Sequence, residues 1–311
     1  MLRIATRRSA LARAQALRVG QLLTARTGEP FALRPMATTG DLHPDRAVAA
    51  FDSKGLFVDT TRQAVLDGAC DLVVHSYKDL PSDPVAGLEL GAVPDRADPR
   101  DALVTRDGRP LSALDHTAVV GTSSERRKLM LLTAKPELQV IGLRGNLDTR
   151  LRKVADGALD AAVIALAGLQ RLVAPREQGG RGPLQVPVQL HALEPGECLP
   201  APGQGALAVE HRADDARVAA AVRAIDAPVL HQRVRAERAL LARLDAGCLS
   251  AVGALCETTE LGALELIGAL GDPGRRQLVR RSLSGPFDRA EELGRDLADD
   301  LMAAIDREPT P

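Results

Sequence analysis

The chain has 311 residues, 45% of them hydrophobic and 26% charged, which fits a globular protein of two or three layered domains. Its aromatic share is 2%, too little for a module that stacks single-stranded bases on rings, and its 40 basic residues face 41 acidic ones, so a net charge of −1 exerts no global pull on phosphate. No uninterrupted apolar run approaches the roughly 18 to 20 residues of a membrane span, and Arg3, Arg7, Arg8 and Arg13 break up the N-terminus, so a cytoplasmic protein with neither membrane nor nucleic-acid partner is expected.

Short apolar runs alternating with helical periodicity over the first 95 residues predict an α/β domain. Leu2–Ala5 reads as a strand, and Ser9 caps a helix whose Leu11, Ala14, Leu17, Leu22 and Leu23 fall on one side and which ends near Gly28 and Pro30. Phe31–Met36 is the second strand. After a polar loop, Val58–Leu66 reads as a helix closed by Gly68, and Leu72–His75 as a strand running into HSYKDLP. A second unit begins around Asp98–Asp101, where Pro99 and the four charges of RADPRD break the pattern. The strand Ala118–Val120 then leads into GTSSERR and a helix to about Ala134, and the strand Gln139–Leu143 leads into RGNLDTR and another helix. Asp160–Ala165 is a buried strand, and the Pro-rich stretch 175–202 holds loops and one strand, Val186–Leu190. From Asp214 the chain is helical. Val229–Leu244 forms a long helix that ends at Gly247; Ala251–Leu255 and Leu264–Leu270 are strands of a small α+β unit, and Asp288–Ile305 is the last helix.

In open α/β sheets ligands bind beyond the carboxyl ends of strands, where helix N-termini present unpaired N–H groups. The notable polar residues of this sequence fall there: Arg7 after the first strand, Lys78 and Asp79 after the strand ending at His75, Thr122, Ser123, Ser124, Arg126 and Arg127 after Val120, and Arg144, Asn146 and Arg150 after Leu143. Cations from two domains are thus expected at a shared cleft. Arginine pairs with carboxylate or phosphate in a bidentate fork, so this many imply a polyanionic ligand. With neither GxxxxGK[ST] nor GxGxxG present, a polycarboxylate is favoured over a nucleotide. Asp79 is the one carboxylate among these cations, as a chemical group or as a turn residue. Cys70, Cys198, Cys248 and Cys256 show no CxxC spacing, which supports neither a zinc site nor a disulfide framework, and the six His are isolated in sequence, so no metal is expected. Cys70 precedes a strand and is expected to pack as a small hydrophobe. Cys248 follows Gly247 in a loop, where a nucleophilic and an inert reading both stay open.

The segments LRIATRRSALA, KGLFVD, DLVVHSYKDLP, DPRDA, VVGTSSERR, LRGNLDTRL, LAGLQRL, PAPGQGALAVE and AERALLARLDAGC, in this order over residues 2 to 253, resemble the hydroxymethylbilane synthase (porphobilinogen deaminase) family. The resemblance implies two α/β lobes like type II periplasmic binding proteins plus a small C-terminal α+β domain, with lobe 1 over 1–95 and a return at about 206–224, lobe 2 over 96–205, and a cofactor-tethering domain over 225–311. It implies a transferase that joins four porphobilinogen molecules head to tail into hydroxymethylbilane, with release of ammonia, in tetrapyrrole (heme) biosynthesis. By the same resemblance Cys248 carries a covalent dipyrromethane cofactor and Asp79 is the catalytic carboxylate. Arg7, Lys78, Arg126, Arg127, Arg144, Arg150 and Arg171 would bind the acetate and propionate groups, with Ser9, Thr122 and Ser124 as neutral donors, and Lys54, Gly55 and Phe57 would belong to a mobile loop. A monomer is implied. The alternatives are a non-catalytic two-lobed polycarboxylate-binding protein and a degenerate paralogue of the enzyme.

Overall fold

The structure, a computed structural model, describes residues 1–37, 59–173, 186–245 and 251–307. Lys54, Gly55, Phe57 and Cys248 lie outside the described residues.

β1 (Leu2–Arg7) leads through Ser9 into α1 (Ala10–Thr27). Ser9 Oγ accepts the Ala12 N–H at 3.3 Å, and Gly28 closes the helix in the left-handed region at φ 74°. The buried face is Gln15, Ala16, Val19, Gly20 and Leu23, whereas Leu17, expected to point inward, is 43% exposed. Close packing decides between the two faces: a Cβ on Gly20 would stand 2.4 Å from the Phe31 ring, so the small-residue side is the one that approaches the sheet.

β2 (Phe31–Met36), α2 (Asp59–Leu66), β3 (Leu72–Ser76), a 3-10 turn at Tyr77–Asp79 and β4 (Leu88–Ala92) follow. Next come β5 (Asp101–Thr105), β6 (Val119–Gly121), α3 (Glu125–Ala134), β7 (Gln139–Ile141), α4 (Leu147–Ala155), β8 (Ala161–Ala165), α5 (Leu166–Val173) and β9 (Gln189–Ala192). The chain ends with β10 (Leu207–Arg212), α6 (Ala216–Arg223), α7 (Pro228–Asp245), β11 (Ala251–Thr258), β12 (Leu264–Asp272), β13 (Gln277–Gly285) and α8 (Ala290–Arg307).

These elements form two units, Met1–Arg96 with Ala206–His231 and Ala97–Gly205 with Gln232–Pro311. The first holds a five-stranded sheet ordered β2-β1-β3-β10-β4, in which β1 runs parallel to β2 and β3, and β10 antiparallel to β3 and β4. The second repeats that pattern as β7-β6-β8-β5-β9. Leu2, Ile4, Leu23, Leu72 and Leu207 centre the first core; Leu103, Val120, Met130 and Leu131 centre that of the second sheet. The third sheet, antiparallel β11-β12-β13, covers α7 and α8 through Leu240, Leu266, Leu270, Leu297 and Leu301. The helices meet at Gly294, where a Cβ would stand 2.3 Å from the Ala236 carbonyl oxygen, so only glycine permits the contact. Two α/β lobes of the type II pattern and a small α+β domain are therefore the fold class that the sequence led us to expect.

Boundary differences have local causes. β7 stops at Ile141 rather than Leu143 because Leu143 N–H and C=O both bond the Ser123 hydroxyl, at 3.0 and 2.8 Å, which takes the chain off the ladder. β9 begins at Gln189, after Pro187, which has no N–H to give to β5.

Candidate active site

In the first unit β3 delivers Lys78 and Asp79. Tyr77 N–H bonds Ala206 O at 3.0 Å, Leu80 N–H bonds Tyr77 O at 3.1 Å, and the buried Gln15 amide donates to Ser76 Oγ at 2.8 Å, so the turn is fixed from the backbone and from α1. Asp79 ends that turn with an exposed side chain, and no hydrogen bond or ion pair joins its carboxylate to another described residue. Lys78 is half-buried beside it, and Arg7, also half-buried, is the last residue of β1. Ser9 is exposed and spends its hydroxyl on the helix cap.

Under the same sheet lies a buried charge cluster that the sequence did not reveal. Arg62 Nε and Nη2 fork onto Glu210 at 2.8 and 2.7 Å, and His75 Nε2 lies 3.1 Å from Glu210 Oε2. Burial alone would raise the Glu210 pKa, but the bonds and charges of His75 and Arg62 bring it from 4.5 down to about 2. A depressed acid contributes stability that is full above its unfolded value and lost as pH falls through its folded value. The cluster is therefore expected to lose about 3 kcal/mol of stabilisation between pH 4.5 and about 2. Denaturant melts across that window check this: the gap between wild type and Glu210→Gln narrows on acidification, and a constant gap counts against it.

In the second unit the helix N-termini behave as the sequence suggested. Ser124 Oγ caps α3 by accepting Arg127 N–H at 3.4 Å, buried Thr122 Oγ1 accepts Ser124 N–H at 3.3 Å, and Asn146 caps α4 by accepting Thr149 N–H at 3.0 Å. Arg126 and Arg127 are buried, 4% and 7% exposed, and both reach Asp101: Arg126 Nη2 to Oδ2 at 2.8 Å and Arg127 Nη2 to Oδ1 at 2.7 Å. Burial would raise the Asp101 pKa, yet these two guanidiniums hold it well below the usual carboxylate range. Arg127 Nε is buried and has no acceptor among the described residues. Arg150 donates from Nε to Gly145 O at 2.9 Å and is half-buried; burial, then the Arg127 charge, disfavour its charged form, and no carboxylate of the described residues is bonded to it. Arg144 is exposed, and Arg171 of α5 donates from Nη2 to Gly205 O at 2.5 Å.

Sequence reading placed these cations but missed the acids that hold them. Asp101 stands in the segment RADPRD, which reads as a break, yet it opens the wholly buried strand β5; an acid directly ahead of Ala102, Leu103 and Val104 was the available signal.

Cys70, Cys198 and Cys256 are free thiols at 1%, 0% and 0% exposure, and burial pushes the Cys198 thiol up to about 12. Native protein treated with iodoacetamide is expected to show none of the three alkylated, and all three after unfolding in guanidinium; peptide mass mapping decides, and native labelling of any one refutes it.

Residues 2–220 match the family described as "Porphobilinogen deaminase, dipyromethane cofactor binding domain", and residues 231–303 match "Porphobilinogen deaminase, C-terminal domain". Among similar proteins, the porphobilinogen deaminase of Acidothermus cellulolyticus is 44% identical over 308 residues, covering 98% of this chain and 89% of the relative. That of Thermus thermophilus is 42% identical over 306 residues, covering 98% and 96%. A periplasmic substrate-binding protein of an ABC transporter from Coxiella burnetii, among solved structures, is 15% identical with a TM-score of 0.41 over 73% of this chain and 93% of that one. The chain belongs to the porphobilinogen deaminase family.

Proposed function

We propose that the chain carries out its family's reaction, joining four porphobilinogen molecules with release of four ammonia and then consuming one water to free the linear hydroxymethylbilane from the cofactor, with Asp79 as the catalytic carboxylate and Cys248 as the tether. The observation that carries the residue assignment is the geometry of the turn after β3: an exposed carboxylate without a partner among the described residues, on a hydrogen-bonded turn and next in sequence to Lys78.

The cofactor of this family is dipyrromethane, which supplies a covalent starting end with several carboxylates. The donor set suits such a group. Arg127 keeps a buried Nε–H without an acceptor among the described residues, and Arg150 keeps a half-buried guanidinium whose one fixed bond goes to a backbone carbonyl. Arg7 and Lys78 in the first unit, and Arg126, Arg127, Arg144, Arg150 and Arg171 in the second, bind acetates and propionates, with Ser9, Thr122 and Ser124 as neutral donors. Lys54, Gly55 and Phe57 keep the loop assignment that the family resemblance implies. Lobe 1 is taken as 1–95 with 206–224, lobe 2 as 96–205 and the tethering domain as 225–311.

The substrate's aminomethyl group resembles a lysine amine, with a pKa of about 10, so at neutral pH it is already ammonium and leaves as ammonia without an added acid. Positive charge then develops on the pyrrole nitrogen. The Asp79 carboxylate accepts that N–H and stabilises the charge where it forms. The same oxygen takes up the proton released once the new carbon–carbon bond is made.

The protein works as a cytoplasmic monomer in this reading, as the resemblance implies, with no nucleic-acid or membrane partner. Among the described residues no helix is long and apolar enough to cross a membrane. The non-catalytic binding alternative is not favoured, since the relatives named above are deaminases over nearly the full chain. Intact mass of the untreated protein tests the cofactor half of the reading: the added mass of two pyrrole rings is expected, and an unmodified chain that gains no adduct on exposure to porphobilinogen would count against it.

A further inference from the structure

Asp101 opens β5 with a side chain of 0% exposure. Its Oδ1 accepts from Arg127 Nη2 at 2.7 Å and from Gln204 Nε2 at 2.8 Å; its Oδ2 accepts from Arg126 Nη2 at 2.8 Å and from Cys198 Sγ at 3.4 Å. Four donors fill the acceptor sites of one carboxylate.

Arg126 and Arg127 are consecutive on α3, so their side chains leave the helix about 100° apart. They nevertheless converge on this one group. Each has a second fixed bond, Arg126 Nη1 to Leu199 O and Arg127 Nη1 to Val163 O at 3.0 Å. A planar guanidinium held at both terminal nitrogens cannot turn, so its remaining N–H edge points in one direction. For Arg127 that edge includes the buried Nε without an acceptor among the described residues.

The same carboxylate sets a third cation. Gln204 Nε2, besides Asp101, bonds Pro99 O at 2.8 Å, and the next residue, Gly205, offers its carbonyl to Arg171 Nη2 at 2.5 Å. Gly205 sits at φ 85°, and a Cβ there would lie 2.4 Å from Ala97 O, so the turn has no slack through which to reposition.

We propose that Asp101 is a positioning residue of the carboxylate-binding machinery, aiming Arg126 and Arg127 directly and Arg171 through the Gln204–Gly205 turn. The inference rests on the reading that these arginines bind pyrrole carboxylates. A carboxylate that served only as counter-charge would tolerate a shift of one methylene; one that aims three guanidiniums would not.

Asp101→Glu separates the two roles, because it keeps the charge and moves it. Full-length Asp101→Glu, Asp101→Asn and Arg127→Gln are each measured by thermal melting, by intact mass for the fraction carrying the two-pyrrole adduct, and by kcat and KM of the loaded fraction. For folded Asp101→Glu the expected result is an adduct on less than about a tenth of the molecules, with KM of the loaded fraction raised about tenfold and kcat within about threefold of wild type. Asp101→Asn is expected to load no better. A folded Asp101→Glu with full loading and wild-type KM overturns the proposal. Failure of both Asp101 variants to fold also overturns it, assigning the residue to structure alone. Full loading and normal KM in Arg127→Gln instead removes the carboxylate-binding reading for that arginine, and the proposal with it, whatever Asp101 does.

Discussion

Asp79→Asn is expected to keep the fold and the affinity for porphobilinogen and to lower turnover by about 10²- to 10³-fold, the range seen when one preorganised electrostatic contact to a transition state is removed. The fold is safe because the side chain is exposed and makes no bond to another described residue, so its loss falls in the class of surface substitutions worth about 0.5 kcal/mol or less. Affinity is safe because the cations that would grip acetate and propionate are untouched. The loss falls on kcat: an amide has no charge to set against a pyrrole nitrogen turning positive, and no basic oxygen to take the proton that follows. Steady-state kinetics with matched melting curves check it, and a near-normal rate refutes the assignment.

Cys248→Ser is expected to give a folded protein with turnover reduced to background. A thiol with an ordinary pKa of about 8.5 supplies thiolate at neutral pH, whereas a serine hydroxyl without an adjacent base is a far weaker nucleophile, so the thioether cannot be replaced by an equivalent ether at a useful rate. The sulfur acts once, during assembly, and is afterwards only a tether. The burial of Cys70, Cys198 and Cys256 makes substitution by another cysteine of the chain a poor route. The variant's intact mass should lack two pyrrole rings, and it should fail the coloured Ehrlich reaction; full modification of the Cys248→Ser protein would contradict the role.

The elements legible in the sequence are those whose signals are local. Ser9 and Gly28 bracket α1, and the apolar runs 31–36 and 72–75 stand between charges and turns, so their ends fall within a residue of the structure. β4, β5, β10 and β13 are not legible in this way. β5 begins with an acid, β13 carries Arg280 and Arg281 in its middle, and β10 belongs to the first sheet only because the chain returns there from more than a hundred residues away. The same division holds at the site. Strand-end cations are visible one at a time from sequence, but the convergence of Arg126 and Arg127 on Asp101, |i−j| of 25 and 26, and of Arg62 and His75 on Glu210, |i−j| of 148 and 135, depends on non-local packing. What the sequence could not show is which cations are already engaged by an internal acid, and how much of each guanidinium is left for a ligand.

The resemblance carried the function, and the structure adds to it a physical setting for the residues. Of the 36 basic residues among those described, 20 are exposed, several in ion pairs such as Arg235 with Glu291 and Arg243 with Asp299, whose side chains are about half exposed and which therefore contribute little to stability. The buried exceptions among the described residues, Arg62, Arg126, Arg127 and Arg238, are the informative ones, because burying a guanidinium demands a partner.

The most direct test is incubation of the purified protein with porphobilinogen, following ammonia and the linear product together. The expected result is catalytic turnover with four ammonia released per tetrapyrrole, and a product that closes on standing to uroporphyrinogen I. Binding of porphobilinogen without ammonia release, by protein shown by mass to carry its two-pyrrole adduct, would contradict it.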